Sequence, residues 1–437
     1  MAELHQDILE DGIKAGFSTV EAFGETATGQ EYECFPGESS SLHSTETRRI
    51  NVRAFWETGD PVGFSLSNPD AQAIKSAFNI VYSTNLPGEK PNFRDKLPKE
   101  VKQVSPSIYD DSFQSIDIHS FNELIDKINE IIISPAFQGL KLKRIHLSKC
   151  LKKIYIANTN NLQAKYIKTN FSLVLHALQK NNRIVVKENR VFFQQLDPYK
   201  IISRAFNLLN SITETSLPLS KHKNIFLLLA PEASVFILRE FSHYFKVSVD
   251  KEITSFQYPA MLNIIDNPFM DGQTGSVPFD DEGTQGQEKY LIRKGVFNQV
   301  ITDIASAFKT GSVSTGNGFR SERTPVPTVR FSNLYINPTV LSLNNLMTDA
   351  GEGILVSLLK LKQVDKDGYV FSAYGYRFEN DDILEPVHFY IQTTFKSYFL
   401  KILKISKEIK YFSSAYNIGS PYILVEGTPK HDTMLQV

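Results

Sequence analysis

Two residues in the second half of the chain have the side chains and spacing that a hydrolase could use. Glu240 and His243 are three positions apart in a predicted helix, residues 231–245, so they share one face of it. They could touch each other, or bind a metal ion together with ligands from elsewhere. A catalytic zinc needs three protein ligands, so two side chains are too few. An amphipathic helix with a chance pair on its polar side is the favoured interpretation.

A second candidate is the run of carboxylates Asp280, Asp281 and Glu282. Closely spaced carboxylates can raise one another's pKa and so divide the roles of acid and base in hydrolysis. They could equally form a site for calcium or magnesium. Adjacent residues of an extended chain point to opposite sides, however, and a solvated acidic turn is the ordinary outcome for such a run.

The loop Ser314-Thr315-Gly316-Asn317 carries small hydroxyl and amide groups. It predicts either a contact with substrate or a turn that caps the preceding helix at Gly311, and both interpretations stay open. Other enzyme signatures are missing from the sequence. There is no GxSxG elbow, no phosphate-binding loop and no dinucleotide fingerprint, and the nine histidines are scattered.

Charge and composition narrow the class of protein. The chain has 437 residues, enough for two or three domains, and 47 basic residues balance 48 acidic ones. No overall field attracts nucleic acid or an anionic membrane, so neither is an expected partner. The basic stretch from Lys141 to Lys153 alternates with apolar residues and is predicted to be the solvated face of a strand or helix.

Cysteine usage and hydropathy indicate a cytoplasmic protein. Cys34 and Cys150 are the only cysteines, so a disulfide framework is excluded and a reducing compartment is expected. The N-terminus is polar and acidic, unlike a signal peptide. No apolar run approaches the roughly 20 residues that a membrane helix needs.

The spacing of apolar residues predicts an α+β protein with mostly antiparallel strands. A small N-terminal α+β domain (1–82) is followed by a proline-containing linker (83–109), a central domain (110–220) and a C-terminal domain rich in strands (221–437). In the central domain, Ser120 and Glu123 have the spacing of a capping box and predict the start of a helix, and residues 191–193 are predicted to form a strand.

Several segments of the last 160 residues resemble the C-terminal domain of the TldD/PmbA family. Their order and spacing match the family's phrases, and they are residues 278–284 with 291–296, 311–317, 332–338 with 343–346 and 351–356, and 418–427. The first 80 residues resemble the family's N-terminal domain more loosely, through a glutamate-bearing strand and an arginine-rich hairpin. Departures at residues 54–57 and 361–376 indicate a divergent branch.

The resemblance also predicts which of the family's two subunit types this chain is. The catalytic subunit carries His-Glu-x-x-x-His on a helix, and a distant cysteine adds a third zinc ligand. At the matching positions this chain has Arg239, Glu240 and Tyr244. A guanidinium has no lone pair to give a metal, and both cysteines precede residue 151. The chain therefore resembles the TldE (PmbA)-type subunit, which lacks the zinc motif.

What the resemblance implies is a non-catalytic subunit, with no catalytic residue, metal ligand or cofactor of its own. Its partner would be a TldD-type subunit that holds zinc, and the pair would degrade unfolded peptides or process peptide precursors. The peptide would lie as an added strand in a shared cavity. The residues expected at that channel or at the subunit interface are Phe279, Asp280, Asp281, Glu282, Gly283, Ser314, Thr315, Gly316 and Asn317.

Two alternative functions remain at this point. One is a stand-alone hydrolase that uses Glu240 and His243 or the 280–282 carboxylates. The other is a peptide-binding scaffold without proteolysis. The peptide, the partner and any pairing of the chain with itself stay open.

Overall fold

The computed structural model describes residues 2–36, 40–102, 104–216, 224–246, 251–321, 324–431 and 433–437. Mostly antiparallel sheets and shorter helices make up these residues, which confirms the α+β prediction. The strands are β1 (Thr19–Cys34), β2 (Ser41–Phe55), β3 (Val62–Ser67), β4 (Lys141–Asn158), β5 (Gln163–Gln179), β6 (Asn182–Arg190), β7 (Ile225–Leu229), β8 (Ile264–Asp266), β9 (Lys289–Arg293), β10 (Val296–Phe297), β11 (Gly318–Ser321), β12 (Thr324–Val329), β13 (Asn333–Ile336), β14 (Glu352–Asp365), β15 (Gly368–Glu379), β16 (Asp382–Thr393), β17 (Ile402–Ile405), β18 (Lys410–Ser413), β19 (Asn417–Ser420), β20 (Ile423–His431) and β21 (Met434–Gln436).

The helices lie between and beside these strands. They are α1 (Ala2–Lys14), α2 (Ala71–Thr84), α3 (Ile118–Ile132), α4 (Pro198–Ser211), α5 (Pro231–Phe241), α6 (Lys251–Thr254), α7 (Ile304–Thr310), α8 (Leu343–Ala350) and α9 (Phe395–Leu400). None of the helices formed by the described residues has the length and apolar character needed to cross a membrane.

The first sheet is antiparallel throughout, with strand order β3-β2-β1-β4-β5-β6. Because β1 pairs with both β2 and β4, the predicted N-terminal and central domains share this sheet. Their division at residues 83–109 stays a prediction. Within that segment, Phe93 and Leu97 are buried in a small cluster with Phe55 and Ile304.

The two faces of the first sheet differ in chemistry, because successive side chains of a strand point to opposite sides. One face is apolar and is covered by α1 and α2 at one end and by α3 and α4 at the other. The other face carries charged and polar side chains and is turned toward the second half of the chain.

The described residues of the second half form two further sheets and a hairpin. One sheet has the order β10-β9-β8-β13-β19-β18, and β11 pairs with β12. In the other, β7, β14, β15, β16, β21 and β20 form a closed ring, because β20 pairs back onto β7, and β17 adds to β20 outside the ring. A large apolar core fills the space between these sheets and α5.

Two predicted elements of the central segment are wrong. The helix α3 starts at Ile118 rather than at Ser120, because Asp117 is its N-cap. The carboxylate of Asp117 accepts hydrogen bonds from the N–H groups of His119 (3.0 Å) and Ser120 (3.2 Å), so the capping box lies three residues before the predicted one. The predicted strand at residues 191–193 is absent, since β6 ends at Arg190 and Phe193 begins a 3-10 turn.

Candidate functional site

The acidic loop is buried, so of the interpretations offered by the sequence the solvated turn is wrong. Asp280, Asp281 and Glu282 are only 1%, 8% and 0% exposed. The Asp280 carboxylate accepts hydrogen bonds from the N–H groups of Glu282 (3.0 Å), Thr284 (2.9 Å) and Gly318 (2.8 Å). It satisfies donors within its own turn and on the neighbouring β11, so it holds two segments of backbone together.

The loop is also anchored on the first sheet. Phe279 packs edge-on against Tyr166 of β5, with 5.1 Å between ring centroids. Gly283 adopts a positive φ of 75°, and a Cβ there would lie 2.3 Å from Cδ2 of Leu162. Only glycine accommodates both the backbone conformation and the close approach to the β4–β5 turn.

A buried ionic network connects the loop to the first two strands. Arg53 of β2 donates to the carboxylate of Glu282 at 2.8 Å and to that of Glu21 of β1 at 2.9 Å. Arg320 of β11 donates to the other carboxylate oxygen of Glu21. All four side chains are at most 2% exposed. Two guanidinium groups thus neutralise two carboxylates at the interface between the two halves of the chain.

Burial dominates the pKa values in this region. It raises the pKa of Glu282, and the nearby Arg53 opposes that shift. Burial likewise raises the pKa of Asp281, where Arg320 opposes the shift. The pKa of Asp280 lies well above its usual value, because of burial and then the neighbouring Glu282. Burial disfavours the cation of Arg53, but Glu21 and Glu282 raise its pKa and keep it charged.

The second predicted loop, 314–317, turns its side chains into the protein. The Thr315 hydroxyl donates to the side-chain oxygen of Asn317 at 2.8 Å and accepts from the N–H of Thr302 at 2.8 Å. Asn317 donates to Asp266 at 2.9 Å. Helix α7 ends at Thr310, and Gly311 is its C-cap with a left-handed φ of 67°, which agrees with the capping interpretation.

The helix predicted to hold a degenerate zinc motif is α5, and it ends at Phe241. Arg239 lies with its guanidinium 4.6 Å from the ring centre of Phe236. Tyr244 belongs to the 3-10 turn that follows, and its ring centre is 4.9 Å from that of Phe395. Arg239 also pairs with the carboxylate of Glu240 at 3.4 Å. Neither side-chain type provides the imidazole nitrogen that zinc takes from histidine.

The remaining candidate pair does touch, but through the backbone. Nδ1 of His243 lies 2.8 Å from the carbonyl oxygen of Glu240, not from its carboxylate. Within the described parts of the chain, no group of three His, Cys, Asp or Glu side chains is arranged to hold a metal ion. Cys34 and Cys150 lie on β1 and β4 of the first sheet.

A cavity of about 550 Å³ lies beside the polar face of the first sheet. On each strand of the sheet, every second residue lines this wall, because successive side chains of a strand point to opposite sides. The second half of the chain closes the other side with segments 274–281, 319–321, 330–332 and 413–417. Of the predicted site residues, Asp281 lines this cavity, and Phe279 lines a separate one of about 730 Å³ beside the β4–β5 turn.

The wall of the first cavity is strongly basic, a feature that sequence reasoning missed. It contains two carboxylates, Glu25 and Asp281, against six cations. The cations are Arg49, Lys152, Lys168, Lys187, Arg320 and Arg330. The available signal was alternation: the cavity-facing positions include Lys168 and Asn170 on β5 and Lys187 and Asn189 on β6, a pattern that resembles an ordinary solvent-facing side.

Known proteins resemble this chain in the sequence of its second half and in the fold of nearly the whole chain. Residues 232–429 match the model of the PmbA/TldA metallopeptidase C-terminal domain. This match identifies residues 232–429 as a TldD/PmbA-type C-terminal domain. A relative named "Metalloprotease" from Methanothermobacter thermautotrophicus is 35% identical over 129 residues, 29% of this chain and 28% of the relative. The "Zinc metalloprotease TldD homolog" of Saccharolobus solfataricus is 35% identical over 129 residues, 29% of each.

The TldD/PmbA-family fold extends beyond the matched domain. The crystal structure of TldE from Thermococcus kodakarensis superposes with a TM-score of 0.82 at 17% identity, over 98% of this chain and 99% of that one. At this identity the likeness concerns the fold. The sequence matches cover under a third of the two relatives named above.

Proposed function

We propose that this chain is the non-catalytic, TldE (PmbA)-type subunit of a TldD/TldE-type zinc metallopeptidase. The observation that carries the proposal is the donor set at the family's zinc motif. Arg239 and Tyr244 replace both imidazoles there, and only Glu240 keeps the motif's residue type. A permanently protonated guanidinium repels a divalent cation instead of binding it.

The surroundings of these positions support the same proposal. Zinc ligands on a helix converge when they lie on one regular face, whereas here α5 ends at Phe241, between the two positions. Arg239 and Tyr244 are each held by an aromatic neighbour, Phe236 and Phe395. The residues present do not fit zinc, so the metal and its chemistry are assigned to the partner.

The proposed partner is a TldD-type subunit, and the proposed substrates are unfolded peptides or peptide precursors in the cytoplasm. The loops at 279–283 and 314–317 would support the channel wall and the interface from inside this chain. Their buried networks suit that role, because a wall that binds extended peptides needs a rigid backbone behind it.

The stand-alone hydrolase has weaker support. His243 contacts a backbone carbonyl of Glu240, so its imidazole is not oriented by the carboxylate. Asp280 is occupied by three backbone N–H groups, and Glu282 by Arg53 and the N–H of Ile304 (2.8 Å). Groups engaged in this way stabilise the fold and are not available to reach a substrate.

Co-expression with a TldD-type subunit tests the proposal. The chain is purified alone and with a partner whose His-Glu-x-x-x-His motif is intact. Light scattering measures complex formation, mass spectrometry measures zinc, and a fluorescent unfolded peptide reports hydrolysis. We expect a stable complex that hydrolyses the peptide, with all activity lost when the partner's motif is altered. Stoichiometric zinc and peptide hydrolysis by the chain alone would refute the proposal.

A further inference from the structure

The cavity beside the first sheet contains more positive charge than the protein neutralises. Lys152 pairs with Glu25 at 3.1 Å, and Arg320 pairs with Glu21. Four other cations line the cavity without an ion pair to any of the described residues, and they are Arg49, Lys168, Lys187 and Arg330. The chain as a whole has a net charge of −1, so this is a local concentration of charge.

The arrangement of these cations is electrostatically unfavourable. Lys152 and Lys168 are directly opposite each other on β4 and β5, and like charges in that position are unfavourable. The Lys168 ammonium donates to the backbone carbonyls of Thr274 (2.5 Å) and Ser276 (3.0 Å). These carbonyls hold the ammonium at the cavity but do not neutralise its charge. An anion bound in the cavity would neutralise it.

The pKa of Lys168 is lowered by burial and by its position among these cations. Burial, then the neighbouring cations Lys152 and Arg330, lower it to about 7, and Asp281 opposes the shift only partly. Glu25 of β1 also lines the cavity. Lys152 itself has a raised pKa, because Glu25 outweighs the effect of burial, so it stays charged.

The cavity also has apolar walls. Phe23 and Ile154 come from the sheet, and Phe319 and Phe331 come from the second half of the chain. Arg330 lies with its guanidinium 4.8 Å from the ring centre of Phe319, an orientation that leaves its N–H groups free to bind an anion. A volume of about 550 Å³ is in the range of small-molecule and short-peptide sites.

We propose that this cavity binds the carboxylate of an acidic peptide segment, with Arg49 and Arg330 as its main ligands. Arg49 reaches in from β2, and Arg330 reaches in from the opposite wall, just before β13. Planar guanidinium groups pair with a carboxylate through two parallel N–H···O bonds. The phenylalanines contact the apolar part of the peptide. The choice of a peptide rests on the proposed function, while the requirement for an anion rests on the cavity alone.

Three matched peptides test the proposal by fluorescence anisotropy on the full-length chain. They share one length and one apolar core. The first has two glutamates and an amidated end, the second has glutamines and a free carboxylate, and the third has glutamines and an amidated end. We expect the third to bind at least about tenfold more weakly than one of the others, as the loss of a charged hydrogen bond predicts. If the first peptide binds more tightly, the cavity recognises a side-chain carboxylate. If the second binds more tightly, it recognises a terminal carboxylate.

Variants of the cavity wall complete the test. Arg330→Gln is expected to raise the dissociation constant of the acidic peptide about tenfold, and Arg49→Gln provides a second variant at a half-buried position, should the first not fold. Lys153→Gln is the matched control, because Lys153 is exposed and points away from the cavity, next to Lys152. Equal binding of all three peptides, or wild-type affinity in both arginine variants, would overturn the proposal. So would binding of inorganic phosphate without binding of any peptide.

The outcome is separable from that of the proposed function. Peptide binding is measured on the isolated chain, whereas the subunit role is measured by complex formation and hydrolysis with a TldD-type partner. A chain that activates its partner but binds neutral and acidic peptides equally would refute only the cavity proposal. A chain that selects acidic peptides but forms no complex would refute only the subunit proposal.

Discussion

Removal of the Arg53 guanidinium is the sharpest test of the buried ionic network. In Arg53→Met, Glu21 loses a partner at 2.9 Å and Glu282 loses one at 2.8 Å, while both remain fully buried. Glu21 keeps its contact with Arg320, and Glu282 keeps the N–H of Ile304. The methionine side chain preserves part of the apolar packing that the arginine stem provides.

The expected loss follows from the desolvated carboxylates. Breaking a buried ion pair by removing one partner costs about 3–5 kcal/mol. Because both carboxylates retain one partner, we expect a value near the lower limit, about 3 kcal/mol at pH 7.5. Arg53 opposes the effect of burial on the pKa of Glu282, so that pKa rises further in the variant. A carboxyl group whose pKa is raised in the folded state destabilises that state only when the pH lies above the group's pKa in the unfolded state. The loss should therefore shrink as the pH falls toward 5.

Urea unfolding followed by tryptophan fluorescence measures this effect. Trp56 is the only tryptophan and is buried in the core beneath α1 and α2, one residue after β2 ends. The change in free energy comes from the shift of the midpoint at a common m-value. Arg183→Met is the control, since Arg183 is exposed on β6. A loss below about 1 kcal/mol, or a loss that does not change with pH, would show that the network does not hold the two halves together.

Three further predictions concern the candidate site. Asp280→Ala should lower the free energy of unfolding by more than about 2 kcal/mol and Asp280→Asn by less, because the amide oxygen still accepts from the backbone; urea unfolding checks the order. Arg239→His with Tyr244→His should not bind stoichiometric zinc by mass spectrometry, because the third ligand is missing and α5 ends between the two positions; one zinc per chain would contradict this. Affinity for an acidic peptide should fall from pH 6 to pH 8.5 as Lys168, with a pKa of about 7, loses its charge. Lys168→Met should make that affinity independent of pH over the same range.

Local patterns were enough to predict much of the fold. The α+β class and the mostly antiparallel strands follow from the spacing of apolar residues, and β2 with β3 forms the arginine-rich hairpin that the resemblance of the first 80 residues predicts. The start of α3 shows the limit of such patterns. Asp117 and Ser120 are both good N-caps, and the chain uses the first, which lengthens the helix by three residues.

For the candidate site, too, some features can be seen in the sequence and others cannot. Arg239 and Tyr244, at the positions where the resemblance predicts zinc ligands, are visible in the sequence because they are five residues apart on one predicted helix. The partners of Arg53 and Arg320 are not visible there, since 229 residues separate Arg53 from Glu282 and 299 separate Arg320 from Glu21. Nothing local indicates which distant carboxylate a guanidinium will meet.

By itself, the sequence of this protein determined the types of most of its elements, its likeness to the TldD/PmbA family and the absence of histidine at positions 239 and 244. These properties depend on periodicity and on the chemistry of single side chains. Only the tertiary structure decided that the acidic loop is buried and that lysines and arginines from both halves of the chain surround one cavity. Burial and charge neutralisation depend on which surfaces meet, because a polar alternation along a strand is the same whether it faces water or another part of the protein.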